Sequence, residues 1–375
     1  MSADINLVDV PPPGHFIREE LEARGWTQRD LAYVLGITES AVNLIISGKR
    51  GISADMAKAL GDAFDVPAEL FANLQNSYDL ARARDPDPNV ARRGRLQSVY
   101  PVREMIKRGW LTDSNAAILE AEMARFFDVK NPEEIPHIAH AAKKQSYDEV
   151  LPIQLAWLFR VKQIAKEMVV PNYSERALRD TLPLLRSLMV DPVDARQVPK
   201  ILSECGVRFV LVEALPTSKI DGACFWLGKS PVIGMSLRYD RIDNFWFVLR
   251  HEIEHVLQKH GRENEIVDAD LEGEASRSDG NLSVEEKIAN LAASDFCVPA
   301  AEIEQFIARK EPYISERDVL GFAKRLQVHP GIVVGQLRRR LDRWDWLTRY
   351  LVKVREAAVS GAVVDGWGHE VPVTG

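Results

Sequence analysis

Two histidines flank a glutamate at a chemically useful spacing in His251-Glu252-Ile253-Glu254-His255. On a helix, residues four apart share one face, so both imidazoles can bind one Zn²⁺. Glu252, beside the first histidine, is placed to act as general base toward water in a hydrolysis. Two nitrogens do not complete a site. A third protein ligand has to come from further along, with one position left open. By residue type Glu263, Glu265, Glu272, Glu274, Glu285 and Glu286 all qualify. The competing reading is a pair of ordinary surface or hydrogen-bonded histidines.

A second set of residues has the types and spacing to meet nucleic acid. In the stretch from Gln28 to Asn43, Thr27 is placed to cap a first helix. Ala32 is small where two helices cross, and Gly36 sits where a tight turn needs positive φ. Val42 is apolar and packs a second helix back on the first. This predicts the two-helix corner that fits a major groove. Thr38, Glu39, Ser40 and Asn43 then lie at the start of the second helix, within reach of base edges. Gln28, Lys49 and Arg50 are candidates for phosphate contacts. An ordinary helical hairpin is the plainer alternative. Arg92, Arg93 and Arg95 form a basic cluster just beyond this region, either a solvated face or a DNA-backbone contact.

These residues need elements to position them. Phe245, Val248, Leu249, Ile253, Val256 and Leu257 give the histidine segment an apolar stripe at helical spacing, with His251 and His255 at its edge. Just upstream, Val207 to Val212, Ala223 to Leu227 and Val232 to Met235 are short apolar runs punctuated by Pro216, Gly222, Gly228 and Pro231, and read as a small sheet. Short amphipathic helices fill His15 to Ala83. Asp85-Pro86-Asp87-Pro88 reads as a linker, because a residue before proline is pushed out of the helical region. Helices return from Tyr100 to Met189. Glu263 to Gly280 is polar and acidic and reads as a loop, Val284 to Phe296 as a helix, and Pro299 to Arg343 as further short helices. The tail from Gly361 has no clear pattern.

Two family resemblances sharpen this. Pro13-Gly14-His15-Phe16-Ile17-Arg18-Glu19-Glu20-Leu21, Gly48-Lys49-Arg50-Gly51-Ile52-Ser53 and Asn73-Leu74-Gln75-Asn76-Ser77-Tyr78-Asp79-Leu80 resemble the XRE class of Cro- and lambda-repressor-like domains, within it the HigA-type antitoxins. The resemblance covers about residues 8–84. It implies a five-helix domain that binds operator DNA, usually as a dimer. Further on, Glu286-Lys287-Ile288-Ala289-Asn290-Leu291-Ala292-Ala293, ending at Cys297-Val298-Pro299, looks like the E-x-x-A-N-x-x-A…P segment of the ImmA/IrrE zinc metallopeptidases. The segment from Phe245 to Leu257 is similar to that family's histidine helix. This second resemblance covers about residues 200–300. It implies Glu286 as third metal ligand beside His251 and His255, Glu252 as general base, and Asn290 one turn from Glu286 facing the metal. Glu254 stands where the family has a small residue, and is expected to point to solvent. His329 is a further candidate, either for substrate or oxyanion contact or as a helix cap at Pro330.

Composition bounds the class. With 48 Lys+Arg against 55 Asp+Glu the net charge is -7, which argues against indiscriminate nucleic-acid binding but allows one basic face. Three cysteines without a C-x-x-C pair argue against a disulfide framework or an all-cysteine zinc site and point to a reducing compartment. Cys205, Cys224 and Cys297 read as buried small apolar residues. His137, His140, His260 and His369 follow no pattern and read as surface. No signal peptide or membrane span is legible, and a cytoplasmic location is expected. At 375 residues the chain predicts two to four domains.

The expected protein is mainly α and multidomain. It has a lambda-repressor-like DNA-binding domain over 1–84, a linker and helical middle domain over 85–197, and an α+β zincin-like domain with a small sheet over 198–300. C-terminal helices and a tail follow over 301–375. The expected function is transcriptional regulation of antitoxin or repressor type, coupled to a Zn²⁺-dependent peptidase acting on a protein partner. The alternative is a non-catalytic HigA-type antitoxin or repressor whose zincin-like domain binds a toxin or senses a ligand. A metabolic regulator binding a small effector is a third reading, disfavoured because the chain is short for it. Operator DNA and a protein substrate or cognate toxin are the expected partners, with a homodimer and no membrane.

Overall fold

A computed structural model describes residues 10–130, 151–262, 266–269, 271 and 283–369. Glu263, Glu265, Glu272, Glu274, His137 and His140 lie outside the described residues, as do residues 1–9 and 370–375. The chain divides into two compact units, Met1–Pro88 and Asn89–Gly375.

The first unit is a set of short helices: α1 (Pro13–Arg24), α2 (Gln28–Leu35), α3 (Glu39–Ile46), α4 (Ala54–Phe64) and α5 (Ala68–Arg82). Their ends are written in local chemistry. Thr27 and Asp30 close a capping box at the start of α2, with Thr27 N donating to Asp30 Oδ2 at 2.7 Å. Gly36 ends α2 in the left-handed region at φ 65°, and Ile37 N donates back to Ala32 O at 3.0 Å. Thr38 and Ser53 cap α3 and α4. Ile17, Leu21, Leu31, Val42, Ile45, Leu60, Phe64 and Phe71 make a core of their own. Gly14 lets α1 meet the end of α3, since a Cβ there would lie 2.2 Å from Ile46 O.

The second unit is built around a five-stranded mixed sheet. In chain order it runs α6 (Pro88–Val99), α7 (Val102–Lys107), α8 (Ala116–Phe126), α9 (Pro152–Glu167), α10 (Glu175–Ser187), α11 (Val198–Glu204), β1 (Arg208–Val212), β2 (Ile220–Leu227), β3 (Ser230–Met235) and α12 (Ile242–Leu257). There follow β4 (Ile266–Ala269), α13 (Val284–Cys297), α14 (Ala300–Lys310), α15 (Glu316–Leu326), α16 (Pro330–Leu341), α17 (Arg355–Ser360) and β5 (Val363–Asp365). The strand order is β4-β2-β3-β1-β5. β1 is parallel to β3 and β5, and β2 is antiparallel to β3 and β4.

Side chains alternate across this sheet, as a strand's period of two requires. Phe209, Leu211, Cys224, Ile233 and Met235 face one apolar cluster. Val210, Val212, Ala223, Phe225 and Val232 face another. Helices cover both faces. α9 lies on the second, with Trp157 and Val161 fully buried, and each such large side chain contributes about 1.5–3 kcal/mol. Gly234 admits it, because a Cβ there would lie 2.7 Å from Val161 Cγ1. α12 and residues 303–364 complete the first face.

Three expectations change here. The segments 85–197, 198–300 and 301–375, read as separate regions, fall in one compact unit: the first two supply both of its cores and the third the one that α12 joins. Ile266–Ala269, inside the stretch read as a loop, is a strand whose partner is β2. The unplaced tail supplies β5, paired with β1. Both strands are too short to announce themselves by periodicity. No helix among the described residues is long and apolar enough to cross a membrane.

Candidate metal centre and nucleic-acid interface

α12 carries His251, Glu252 and His255. The expected one-sided stripe is instead burial all round, since every residue from Ile242 to Leu257 is buried. The sheet lies on one side of the helix, with α13 and α16 on others. His251 and His255, one turn apart, point the same way, and their Nε2 atoms are 3.0 Å apart. Two imidazole nitrogens that close, wholly buried, need a shared proton or cation.

Glu286 enters from the first turn of α13, its backbone N–H held by the capping Ser283 Oγ at 3.1 Å. It offers one oxygen to each histidine: Oε2 lies 3.4 Å from His251 Nε2 and Oε1 3.4 Å from His255 Nε2. Asp268, from β4, adds Oδ2 at 3.6 Å from His251 Nε2 and 3.8 Å from His255 Nε2. One ligand atom from each of the four residues lies within 4.8 Å of the others.

Ligand atoms about 2.0–2.2 Å from a tetrahedral Zn²⁺ stand roughly 3.3–3.6 Å from one another. The cluster therefore fits such an ion in both donor type and spacing. Its unsatisfied atoms point the same way. Glu252 Oε1 and Oε2 and Asp268 Oδ2 are buried with no hydrogen-bond partner among the described residues. Buried unpaired carboxylates are costly unless a cation compensates them.

The electrostatics without the ion follow from this crowding. Burial works against charging His251, but Asp268 and Glu286 outweigh it and raise its pKa to about 10. Glu286 is opposed by burial yet pulled far below the usual carboxylate range by the two histidines. Glu252 goes the other way. Burial, then the neighbouring charges of Asp268, Glu286 and Asp221, push its carboxyl well above its ordinary value. Glu252 fits beneath β2 only because residue 222 is glycine: a Cβ there would lie 2.0 Å from Glu252 Oε1.

Around the cluster, two residues fall outside the sequence reading. His260, read as surface, is half-buried, with Nδ1 2.9 Å from His255 Nδ1. Lys259, at φ 62°, turns the chain just past α12 and folds His260 back beneath His255. A ligand histidine whose far nitrogen is held in this way keeps one tautomer and one ring orientation. Asp268 was hidden in the acidic stretch. Glu254, expected to face solvent, is buried instead and neutralised locally: Arg250 Nη2 and Gln258 Nε2 each donate to it at 2.6 Å. Asn290, one turn from Glu286, has Oδ1 buried with no partner among the described residues. Glu285 stands 3.9 Å from His260 Nε2 rather than in the cluster. His329 caps α16, its Nδ1 accepting from Gly331 N at 3.1 Å, and is not one of the converging residues. Cys205, Cys224 and Cys297 are free and buried.

In the first unit, α3 buries Val42, Ile45 and Ile46 and leaves Glu39, Ser40 and Asn43 exposed. Thr38 spends its hydroxyl on the cap, accepting from Ala41 N at 3.2 Å. Glu39 Oε2 lies 3.4 Å from Arg29 Nε, so its charge is partly answered within the domain. Gln28 is half-buried at the start of α2, while Lys49 and Arg50 are exposed on the turn after α3. Tyr33, which the sequence reading passed over, is 88% exposed on α2. Arg92 and Arg93 are engaged inside the second unit, by the Glu120 carboxylate and by Ser114 O.

Comparison with known proteins bears on the first unit. A helix-turn-helix family profile matches residues 17–71. Virulence-associated protein A' of Dichelobacter nodosus is 41% identical over 77 residues, 20% of this chain and 67% of that protein. Virulence-associated protein I of the same organism is 35% identical over 79 residues, 21% of this chain and 73% of that protein. An uncharacterised HTH-type transcriptional regulator of Escherichia coli (strain K12) is 28% identical over 92 residues, 24% of this chain and 97% of that protein. A solved structure from Pseudomonas aeruginosa, described as a complex with its 18-bp operator DNA, is 42% identical over 19% of this chain and 77% of that one, with a TM-score of 0.19.

Proposed function

This chain belongs to the helix-turn-helix family through its N-terminal domain, and on that premise we propose that it is an operator-binding transcriptional regulator coupled to a zinc-dependent peptidase. α3 is the element offered to a major groove. Ser40 and Asn43 are its base-reading side chains, with Lys49 and Arg50 on phosphates. A dimer of such heads would read a two-fold operator.

The peptidase half rests on one observation. The His251 and His255 Nε2 atoms converge at 3.0 Å, with Glu286 Oε2 3.4 Å from the first and Glu286 Oε1 3.4 Å from the second. These residues would hold Zn²⁺, which when bound supplies Lewis acidity for attack of water on a peptide carbonyl. Glu252 would take and return the proton. It can do so only once a cation offsets the burial and the neighbouring carboxylates that push its pKa upward. His260 would hold His255 in the ligating orientation. The burial of the cluster excludes bulk water and strengthens each of these interactions.

One observation favours a second reading, a non-catalytic antitoxin or repressor whose metal domain holds a toxin or senses a ligand. Glu252 is wholly buried against Gly222, away from solvent. The deciding experiment measures zinc content and regulation together. The peptidase reading expects about one zinc per chain, lost in Glu286→Ala. It also expects Glu252→Gln to keep the zinc while abolishing processing of the partner protein and the regulatory response. Normal regulation by zinc-loaded Glu252→Gln would overturn the peptidase in favour of the second reading.

A further inference from the structure

A zinc enzyme of the kind just proposed leaves one position to solvent, so the ligand set should be three residues. Four converge here. His251 Nε2 and His255 Nε2 are 3.0 Å apart, and the Glu286 carboxylate sets one oxygen 3.4 Å from each, Oε2 toward His251 and Oε1 toward His255. Asp268 Oδ2 stands at 3.6 and 3.8 Å from the two nitrogens. These distances are close to the roughly 3.3–3.6 Å edges of a tetrahedron around zinc. We infer that Asp268 is a fourth protein ligand, delivered by β4, so that the chain as folded closes its own zinc site where a catalytic site stays open. This inference rests on the zinc reading and qualifies its peptidase half.

The placement of Asp268 is built into the fold. β4 pairs antiparallel with β2 in a defined register, Gly222 opposite Asp268 and Ala223 opposite Val267. Just beyond, Leu271 N donates to Asp221 Oδ2 on β2 at 2.8 Å, which fixes the segment on its far side. Asp268 is itself 4% exposed, and its Oδ2 has no hydrogen-bond donor among the described residues. Where it points into the cluster it faces the two histidine Nε2 atoms at 3.6 and 3.8 Å, beyond ordinary hydrogen-bond length. A metal ion supplies what is missing, and two imidazoles with two carboxylates are a complete tetrahedral donor set.

β4 also sits on the strand edge next to the metal helix. An extended peptide pairing with that edge of β2 would have to take the place of β4. In doing so it would remove Asp268 from the ion. Closure of the site and occupation of the edge are therefore one event, and opening requires a competitor for β2.

The test reads coordination rather than turnover. The full chain is loaded with Zn²⁺ for affinity by chelator competition, and with Co²⁺ for visible absorption. Thiocyanate serves as a probe of any open coordination position. Asp268→Asn and Asp268→Ala are compared with the parent; the asparagine variant preserves shape and strand pairing. The parent should show a four-coordinate cobalt spectrum unmoved by thiocyanate. Both variants should lose affinity by more than about tenfold, at least the loss that removing a supporting group brings, and their spectra should shift on adding thiocyanate. If the parent binds one zinc but already responds to thiocyanate, and Asp268→Asn binds zinc as tightly, Asp268 is only a nearby counter-charge and the inference is overturned while the zinc reading stands. If the folded parent binds no zinc at all, the zinc reading itself fails and takes this inference with it.

Discussion

At the scale of single residues, the two units use side chains in opposite ways. In the head Ser40, Asn43, Lys49 and Arg50 are exposed. Asn43 projects from α3 on the side away from Val42, Ile45 and Ile46. Asn43→Ala is expected to weaken specific operator binding by about 1–3 kcal/mol with little effect on random DNA. Arg50→Ala should weaken both about equally and lower the salt dependence by roughly one phosphate contact. Binding titrations on operator and random duplexes at several salt concentrations check both, and equal losses on the two duplexes for Asn43→Ala would remove it from the base-reading set. In the second unit the converging candidates are buried or partly buried, and each is defined by its neighbours. Glu252 and Glu254 are both buried glutamates on one helix, yet their carboxyls shift in opposite directions. Burial raises both, but Glu254 has Gln258 and Arg250 to outweigh it, while Glu252 has only further carboxylates.

At the scale of elements, caps and close crossings decide what is possible. His329 is the clearest case. The expectation left it divided between substrate contact and capping, and its Nδ1 is occupied as the N-cap acceptor of α16. Accepting a hydrogen bond at Nδ1 requires that nitrogen to be unprotonated. Burial lowers the pKa of His329, with Asp191 opposing. A group whose folded pKa lies below its unfolded value binds protons more readily in the unfolded chain. Its contribution is then present in full above the unfolded value of about 6.5, and falls as pH drops through that value toward the folded one. His329→Asn retains a capping acceptor without a proton to gain, and is expected to flatten the decline in stability as pH falls below about 6.5. His329→Ala should cost about 1 kcal/mol at pH 7.5. Denaturant titrations across that pH range check both, and an unchanged pH profile for His329→Asn would show that the cap is not what titrates.

At the scale of the whole molecule, the second unit is held together by contacts between segments far apart in sequence. Arg160 of α9 pairs with Asp365 of β5, both nearly inaccessible, and Trp110 Nε1 donates to the same Asp365 oxygen at 3.0 Å. Asp365→Ala removes a buried carboxylate that pairs with Arg160 and accepts from Trp110, and should destabilise the second unit by about 3–5 kcal/mol. The head has its own core in Ile17, Leu31, Val42, Leu60 and Phe71, so its unfolding should be unaffected. Thermal unfolding of the full chain should accordingly show the transition of the second unit moving down while that of the head stays in place. A common shift of both transitions would mean that the two units do not unfold independently.

What could be read from the sequence was whatever local chemistry writes. Thr27, Gly36 and Thr38 specify the corner of the head because caps and positive φ are properties of a few consecutive residues. His251 and His255 share a face because helical spacing alone puts them there, and Glu286 falls near the start of the segment read as a helix from Val284. The sheet's three main strands were legible because their apolar runs are bounded by glycine and proline. The rest depended on partners. Ile266–Ala269 becomes a strand only against β2, and Val363–Asp365 only against β1. Neither carries enough periodicity of its own. His260 is drawn from apparent surface to His255 by one left-handed residue, and Glu254 from solvent into an ion pair with Arg250. The two histidines marked the candidate metal centre, but its ligand number was not a local property. Whether three residues or four converge there depends on where β4 lands, and only long-range strand pairing decides that.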